Sequence, residues 1–130
     1  MPSEPIWLPL EEIIKINAAE VAETGERHLI RDLGLLEGAQ ARPRTLFSYG
    51  VTDVVRLGVA LLAGIARSHP FEQGNKRTAL TACLVFIEAN GYRWTMDDTE
   101  EVGVWIVQMV NREISEQALS DLMRPHFAPA

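Results

Sequence analysis

A chain of 130 residues with 47% hydrophobic content and a net charge of −6 is sized for one domain, spanning residues 1–130, with its own core. Its single cysteine, Cys83, excludes an internal disulfide and a cysteine-pair metal site, which fits a reducing cytoplasm. The acidic balance argues against direct nucleic-acid binding, and no stretch has the ~18 uncharged apolar residues of a membrane span.

Residues 1–9 contain three prolines and lack the basic start of a secretion signal. They are expected to be extended, and the protein to be cytoplasmic. Apolar residues then recur at helical spacing from Leu10 to Thr24: Leu10, Ile13, Ile14, Ala18 and Val21, with Asn17 on the same face. Glu11 and Glu12 suit the first turn of that helix, and Gly25 its stop. Glu26 to Gly50 has no strong periodicity. "LGLLEGAQAR" allows a short helix, and "PRTLFSYG" reads as extended or loop-like. A long irregular segment in a small domain is a natural binding loop.

Thr52 is placed to cap a helix from Asp53 to about Ser68. This helix is apolar on nearly every side, so it should be buried. Nine polar-rich residues follow, His69 to Arg77, reading HPFEQGNKR. A second apolar helix is expected from about Lys76 to Ala89, ended by Asn90 and a left-handed Gly91. Arg93 to Met96 reads as a short extended piece. Asp98 and Glu101 form a possible capping box for a helix to about Asn111. Ser115 should cap a last helix to about Arg124, before Pro125. The fold class is therefore all-α: a compact helical bundle of five to six helices with two central buried ones.

Charge is uneven along this frame. Arg27 to Arg93 holds nine Lys/Arg against five Asp/Glu, and the rest holds three against thirteen. A locally basic middle in an acidic protein suits a small anionic ligand better than a long polyanion. The HPFEQGNKR loop sharpens this. The second buried helix starts near Asn75, so its first N–H groups lack intrahelical acceptors and carry partial positive charge. Gly74 leaves room for a ligand against the backbone, as in known anion cradles. Lys76 and Arg77 put two cations where the helix dipole disfavours them, and a bound phosphate would offset that cost. His69, at the other end of the loop, is chemically suited to act as a general base at neutral pH. Phe71 is expected to anchor the loop in the core. Taken singly, Asn75 could be an N-cap, Gly74 a turn residue and His69 a dipole partner. All six types together between two apolar helices point to phosphate chemistry. His28 and His126 are expected to be surface residues, and Cys83 a small buried hydrophobe.

HPFEQGNKR resembles the signature of the Fic/Doc family, in its Doc (death-on-curing) branch, whose broader pattern is H-x-F-x-(D/E)-G-N-G-R-x-x-R. The stretches "RDLGLLEGAQARP", "FSYG" and "NGY" are similar to Doc-like chains as well. The resemblance implies a small α-helical bundle that acts on ATP with Mg2+. It implies that His69 deprotonates a Ser, Thr or Tyr hydroxyl of a target protein, while Phe71 anchors the loop. Gly74 and Asn75 would shape the anion hole, and Lys76 and Arg77 would hold nucleotide phosphates. Three positions depart from the broader pattern. Gln73 stands where an acid binds Mg2+, and a neutral carbonyl is a weaker ligand for that ion. Lys76 replaces the second glycine, a Doc hallmark that implies phosphate transfer rather than AMP transfer. Leu80 replaces the last arginine. No inhibitory (S/T)-x-x-x-E-(G/N) helix is present, which implies control by a partner such as a Phd-like antitoxin. The implied target is a translation factor, with elongation factor Tu as the family precedent. The basic stretch Arg27–Gly50 is the expected flap for docking and positioning it. Two alternatives stay open: an AMP-transferase, or a nucleotide- and partner-binding module weakened at Gln73.

Overall fold

The computed structural model describes residues 3–130. In chain order it contains α1 (Leu10–Glu23), α2 (Leu33–Ser48), α3 (Val54–Ser68), α4 (Asn75–Ala89), β1 (Tyr92–Trp94), α5 (Glu100–Val110), α6 (Glu116–Met123) and β2 (Phe127–Pro129). The all-α expectation holds, with one small antiparallel pair added, in which Trp94 lies opposite Phe127. Within the nine-residue N-terminal stretch, residues 1 and 2 lie outside the described part, and residues 3–9 form neither helix nor strand.

The architecture follows from α3. Leu57, Leu61, Leu62 and Ile65 on this helix are fully buried, and α2, α4, α5 and α6 all pack against it. A helix apolar on all sides can satisfy itself only at the centre of such an arrangement. Its cap is Asp53 rather than Thr52: the Asp53 carboxylate accepts from Val55 N–H at 3.0 Å. That carboxylate also receives both Arg124 terminal nitrogens, at 3.1 and 2.6 Å. Burial opposes its ionisation, but Arg124 and the Val55 and Arg56 N–H groups together more than reverse this, so the carboxyl lies below its usual range. On α4, the other expected core helix, Ala79, Ala82, Cys83, Phe86 and Ile87 are buried while Val85 is exposed. Burial pushes the Cys83 thiol pKa up, consistent with a small core hydrophobe.

The segment expected to be largely irregular is mostly helix. α2 runs for 16 residues through Pro43. Pro43 cannot donate to the Ala39 carbonyl, at an ordinary cost of ~3 kcal/mol. Tertiary packing offsets this. Leu36, Ala39 and Pro43 form a buried face at helical spacing. Gly64 on α3 lets α2 come so close that a Cβ there would lie 3.0 Å from the Ala39 Cα. Arg42 then donates to the Ala60 carbonyl at 2.8 Å and pairs bidentately with Glu116 of α6. Arg27–Gly50 is therefore not an irregular segment: within it only residues 27–32, before α2, and 49–50, after it, are non-helical.

The remaining elements agree with expectation at Gly91 and Ser115 and differ from it elsewhere. Gly91 has φ +102° after α4, a left-handed position. Ser115 caps α6 by accepting from Ala118 N–H at 3.0 Å. The Asp98–Glu101 capping box does not form, and Asp98 instead accepts from Glu100 N–H at 2.9 Å. β2 was not expected. It follows a short turn at Pro125 and places Phe127 4.8 Å from the Trp94 ring. Among the described residues, no helix is long and apolar enough to cross a membrane.

Two glycines predict opposite outcomes for one substitution. A Cβ at Gly38, inside α2, meets nothing within 4 Å, so Gly38→Ala is expected to stabilise by about 0.5–1 kcal/mol. Gly64→Ala must push the α2 backbone and is expected to destabilise by about 1–3 kcal/mol. Urea unfolding of the two variants checks both signs.

Candidate functional site

The loop between α3 and α4 is built from the core outward. Phe71 is 1% exposed and anchors it. Its N–H donates to Asn75 Oδ1 at 3.0 Å, and Asn75 Nδ2 donates to its carbonyl at 2.9 Å. These reciprocal bonds close the loop across four residues. The Asn75 side chain is thus engaged by its own loop, and its contribution to an anion hole is through the backbone it fixes. A short extended segment braces the other side. Ile30 bridges Phe71 in antiparallel fashion, and Glu72 N–H donates to the Leu29 carbonyl at 2.9 Å.

His69 sits at the end of α3 with φ 51° and ψ 58°, left-handed although it is not glycine. Such a conformation costs on the order of 1–3 kcal/mol and tends to cluster at functional sites. Its N–H donates to the Ile65 carbonyl at 3.2 Å, and the residue is exposed.

At the opposite end, Gly74 has φ +74° and precedes α4. The space left by its missing side chain faces α1: a Cβ would lie 3.0 Å from Val21 and 3.5 Å from the Asn17 amide nitrogen. This corrects the expectation that the space serves a ligand. The start of the helix itself carries unpaired donors. Thr78 N–H is the first to find a helical acceptor, on Gly74 O at 2.9 Å. The N–H groups of Asn75, Lys76 and Arg77 have no acceptor among the described residues. Three free amides at the positive end of a 15-residue helix suit an anion.

The two cations divide. Lys76 is exposed and makes no ion pair among the described residues. It lines a cleft of about 150 Å3 between α4 and α5, with Arg77, Leu80, Thr99, Gly103 and Ile106. The Arg77 guanidinium turns to α1. It pairs with Glu26 and donates to the Glu20 carbonyl at 3.2 Å and to Thr24 Oγ1 at 3.1 Å. The Thr24 hydroxyl and Arg77 hold the Glu26 carboxyl below its usual range. Both cations of the sequence reading thus line the cleft, but Arg77 is already engaged by the scaffold while Lys76 has no ion-pair partner among the described residues.

Gln73 is exposed, and its backbone carbonyl accepts from Asn17 Nδ2 at 2.9 Å. The neighbouring carboxylate, Glu72, is paired with Arg27 at 3.2 Å. Among the described residues no group of three or more His, Cys, Asp or Glu could hold a metal ion. One neutral amide oxygen beside a paired carboxylate does not fit a resident Mg2+ site, which calls for carboxylate and phosphate oxygens.

Three residues with no assigned role in the sequence complete the site. Asn17 is fully buried on the apolar face of α1 and donates both to Gln73 O and to Thr78 Oγ1, the latter at 3.0 Å. His28, expected on the surface, is exposed, yet its Nδ1 lies 2.7 Å from Asn17 Oδ1. Arg31 donates to the His69 and Ser68 carbonyls. A polar residue on an apolar face was the one signal available for Asn17. His28 and Arg31 lie where no periodicity marks them.

A model of the Fic/DOC family matches residues 7–87. The chain is 30% identical to "Protein kinase doc" of Escherichia phage P1, over 92% of this chain and 94% of that protein. It is 39% identical to "Toxin Doc" of Mycolicibacterium smegmatis, over 70% of this chain and 69% of that one.

Asn17→Leu preserves volume but leaves the buried Thr78 hydroxyl and the Gln73 carbonyl without their donor. It is expected to destabilise by about 1–3 kcal/mol, and to increase amide hydrogen exchange at Thr78 more than at core positions of α3. Equilibrium unfolding and exchange mass spectrometry measure the two effects.

Proposed function

Because the chain belongs to the Fic/DOC family, we propose that it is a Doc-type toxin that transfers the γ-phosphate of ATP to a Ser, Thr or Tyr hydroxyl of a target protein. The observation that carries this reading is the start of α4: three unpaired amides and the unpaired Lys76, at the far end of a fixed loop from the exposed His69. The name of the phage relative supports phosphate transfer, and that of the mycobacterial relative supports toxicity.

In this reading the α4 amides and Lys76 bind the nucleotide phosphates and neutralise charge developing on them. Gly74 and Asn75 shape the cradle through the backbone, and Arg77 holds that helix end against α1. The His69 imidazole takes the proton from the target hydroxyl as its oxygen bonds to the γ-phosphorus. The bond from that phosphorus to the bridging oxygen breaks, and ADP leaves. Gln73 is not an adequate metal ligand by itself, so any Mg2+ arrives with the nucleotide. The target is a translation factor of the elongation factor Tu kind, which places the action in the cytoplasm. A Phd-like antitoxin is the partner that restrains it. The neutral Gln73, beside a Glu72 already paired with Arg27, favours a second reading: a domain that binds nucleotide but transfers little.

Incubation with elongation factor Tu and ATP labelled at either the α- or the γ-phosphate separates these readings. The γ-label is expected on the target, with His69→Ala lowering the rate about 10²–10⁴-fold. α-Label on the target contradicts phosphate transfer and means AMP transfer. ATP binding without any transfer supports the second reading.

A further inference from the structure

Three consecutive carbonyls at the end of α3 are all taken by residues 31 and 32. Arg31 Nη2 donates to Ser68 O at 2.9 Å, and Arg31 Nε donates to His69 O at 2.7 Å. The backbone N–H groups of Arg31 and Asp32 both donate to Pro70 O, at 2.7 and 3.0 Å. The last carbonyls of a helix have no partner within it, and a cation is favoured beside them. A guanidinium suits this place because its donors form a rigid planar fork that can meet two acceptors at once. The fork is itself anchored. Asp32, the next residue, caps α2 by accepting from Leu35 N–H at 3.0 Å. Residue 31 is therefore fixed through its backbone on Pro70 and through the start of α2.

The residue under this clamp is His69, left-handed without being glycine. Its side chain makes no hydrogen bond among the described residues, so its direction is set by its backbone. We propose that Arg31 is a positioning residue: by bridging the Ser68 and His69 carbonyls it locks His69 in its left-handed conformation and so aims the imidazole at the target hydroxyl. In this proposal Arg31 acts through His69 and needs no contact with either substrate. This inference rests on the proposed role of His69 as the base.

The test combines two readouts on Arg31→Ala and Arg31→Lys. The first is the backbone signature of His69 in histidine-labelled protein, its HN–Hα coupling and Cα shift. The second is kcat and KM for ATP in phosphate transfer to the target. Arg31→Ala is expected to lose the left-handed signature and to lower kcat about 10- to 100-fold, with KM for ATP unchanged. Arg31→Lys keeps the charge but not the fork, and is expected to recover only part of kcat. An unchanged His69 signature in Arg31→Ala, or an unchanged kcat, overturns the proposal. If Arg31→Ala does not fold, the same two readouts on Arg31→Lys decide. If the wild-type protein transfers nothing, the proposed function falls, and the His69 signature alone decides whether Arg31 holds that residue.

Discussion

Two hydrogen bonds between the Asn75 side chain and the Phe71 backbone hold the site together. Phe71 is fixed in the core and Asn75 begins α4, so these bonds set where one helix ends and the next begins. Everything else attaches to that closed loop. Asn17 supports it from α1 through Gln73 and Thr78, and residues 29–32 support it from the other side. Two separate segments thus brace the loop from opposite sides. A left-handed histidine persists only where its surroundings over-determine it, and this loop meets that condition.

The charges at the start of α4 obey a simple logic once the neighbours are known. Two cations in the first turn oppose the helix dipole. Arg77 escapes the penalty by reaching the C-terminal end of α1, where the Glu20 carbonyl accepts from it and Glu26 pairs with it. The N-terminus of one helix and the C-terminus of another share that guanidinium. Lys76 has no such partner. The positive potential left for a ligand comes from one ammonium and three amides, rather than from the two side-chain cations in the sequence. In the proposed phosphate site, more of the binding would then rest on the backbone, which single side-chain substitutions do not remove.

Much of the fold was legible because its signals are local. α1, α3, α4 and α6 follow from apolar spacing and from Gly25, Gly91 and Ser115. Phe71 was legible as an anchor because an aromatic residue stands alone in a polar loop. α2 was legible only over its first part, Leu33–Arg42, because Pro43 and its glycines argue against a longer helix within the segment itself. What makes it helical is α3, through the close approach at Gly64. β2 escaped for a similar reason: three residues carry no period, and only pairing with β1 gives them structure. The site divides in the same way. The HPFEQGNKR loop lies in one stretch of sequence. Its braces, Asn17, His28 and Arg31, act across separations of 11 to 61 residues, where one sequence offers no view of a partner.

The central claim is that the N-terminus of α4 is a phosphate site. Titration of 15N-labelled protein with ATP, and separately with adenosine, tests it most directly by reporting on each amide. ATP is predicted to shift the N–H resonances of Asn75, Lys76 and Arg77 far more than those of the α6 cap, while adenosine leaves them in place. Equal shifts with adenosine, or ATP shifts confined to other parts of the chain, would contradict the account.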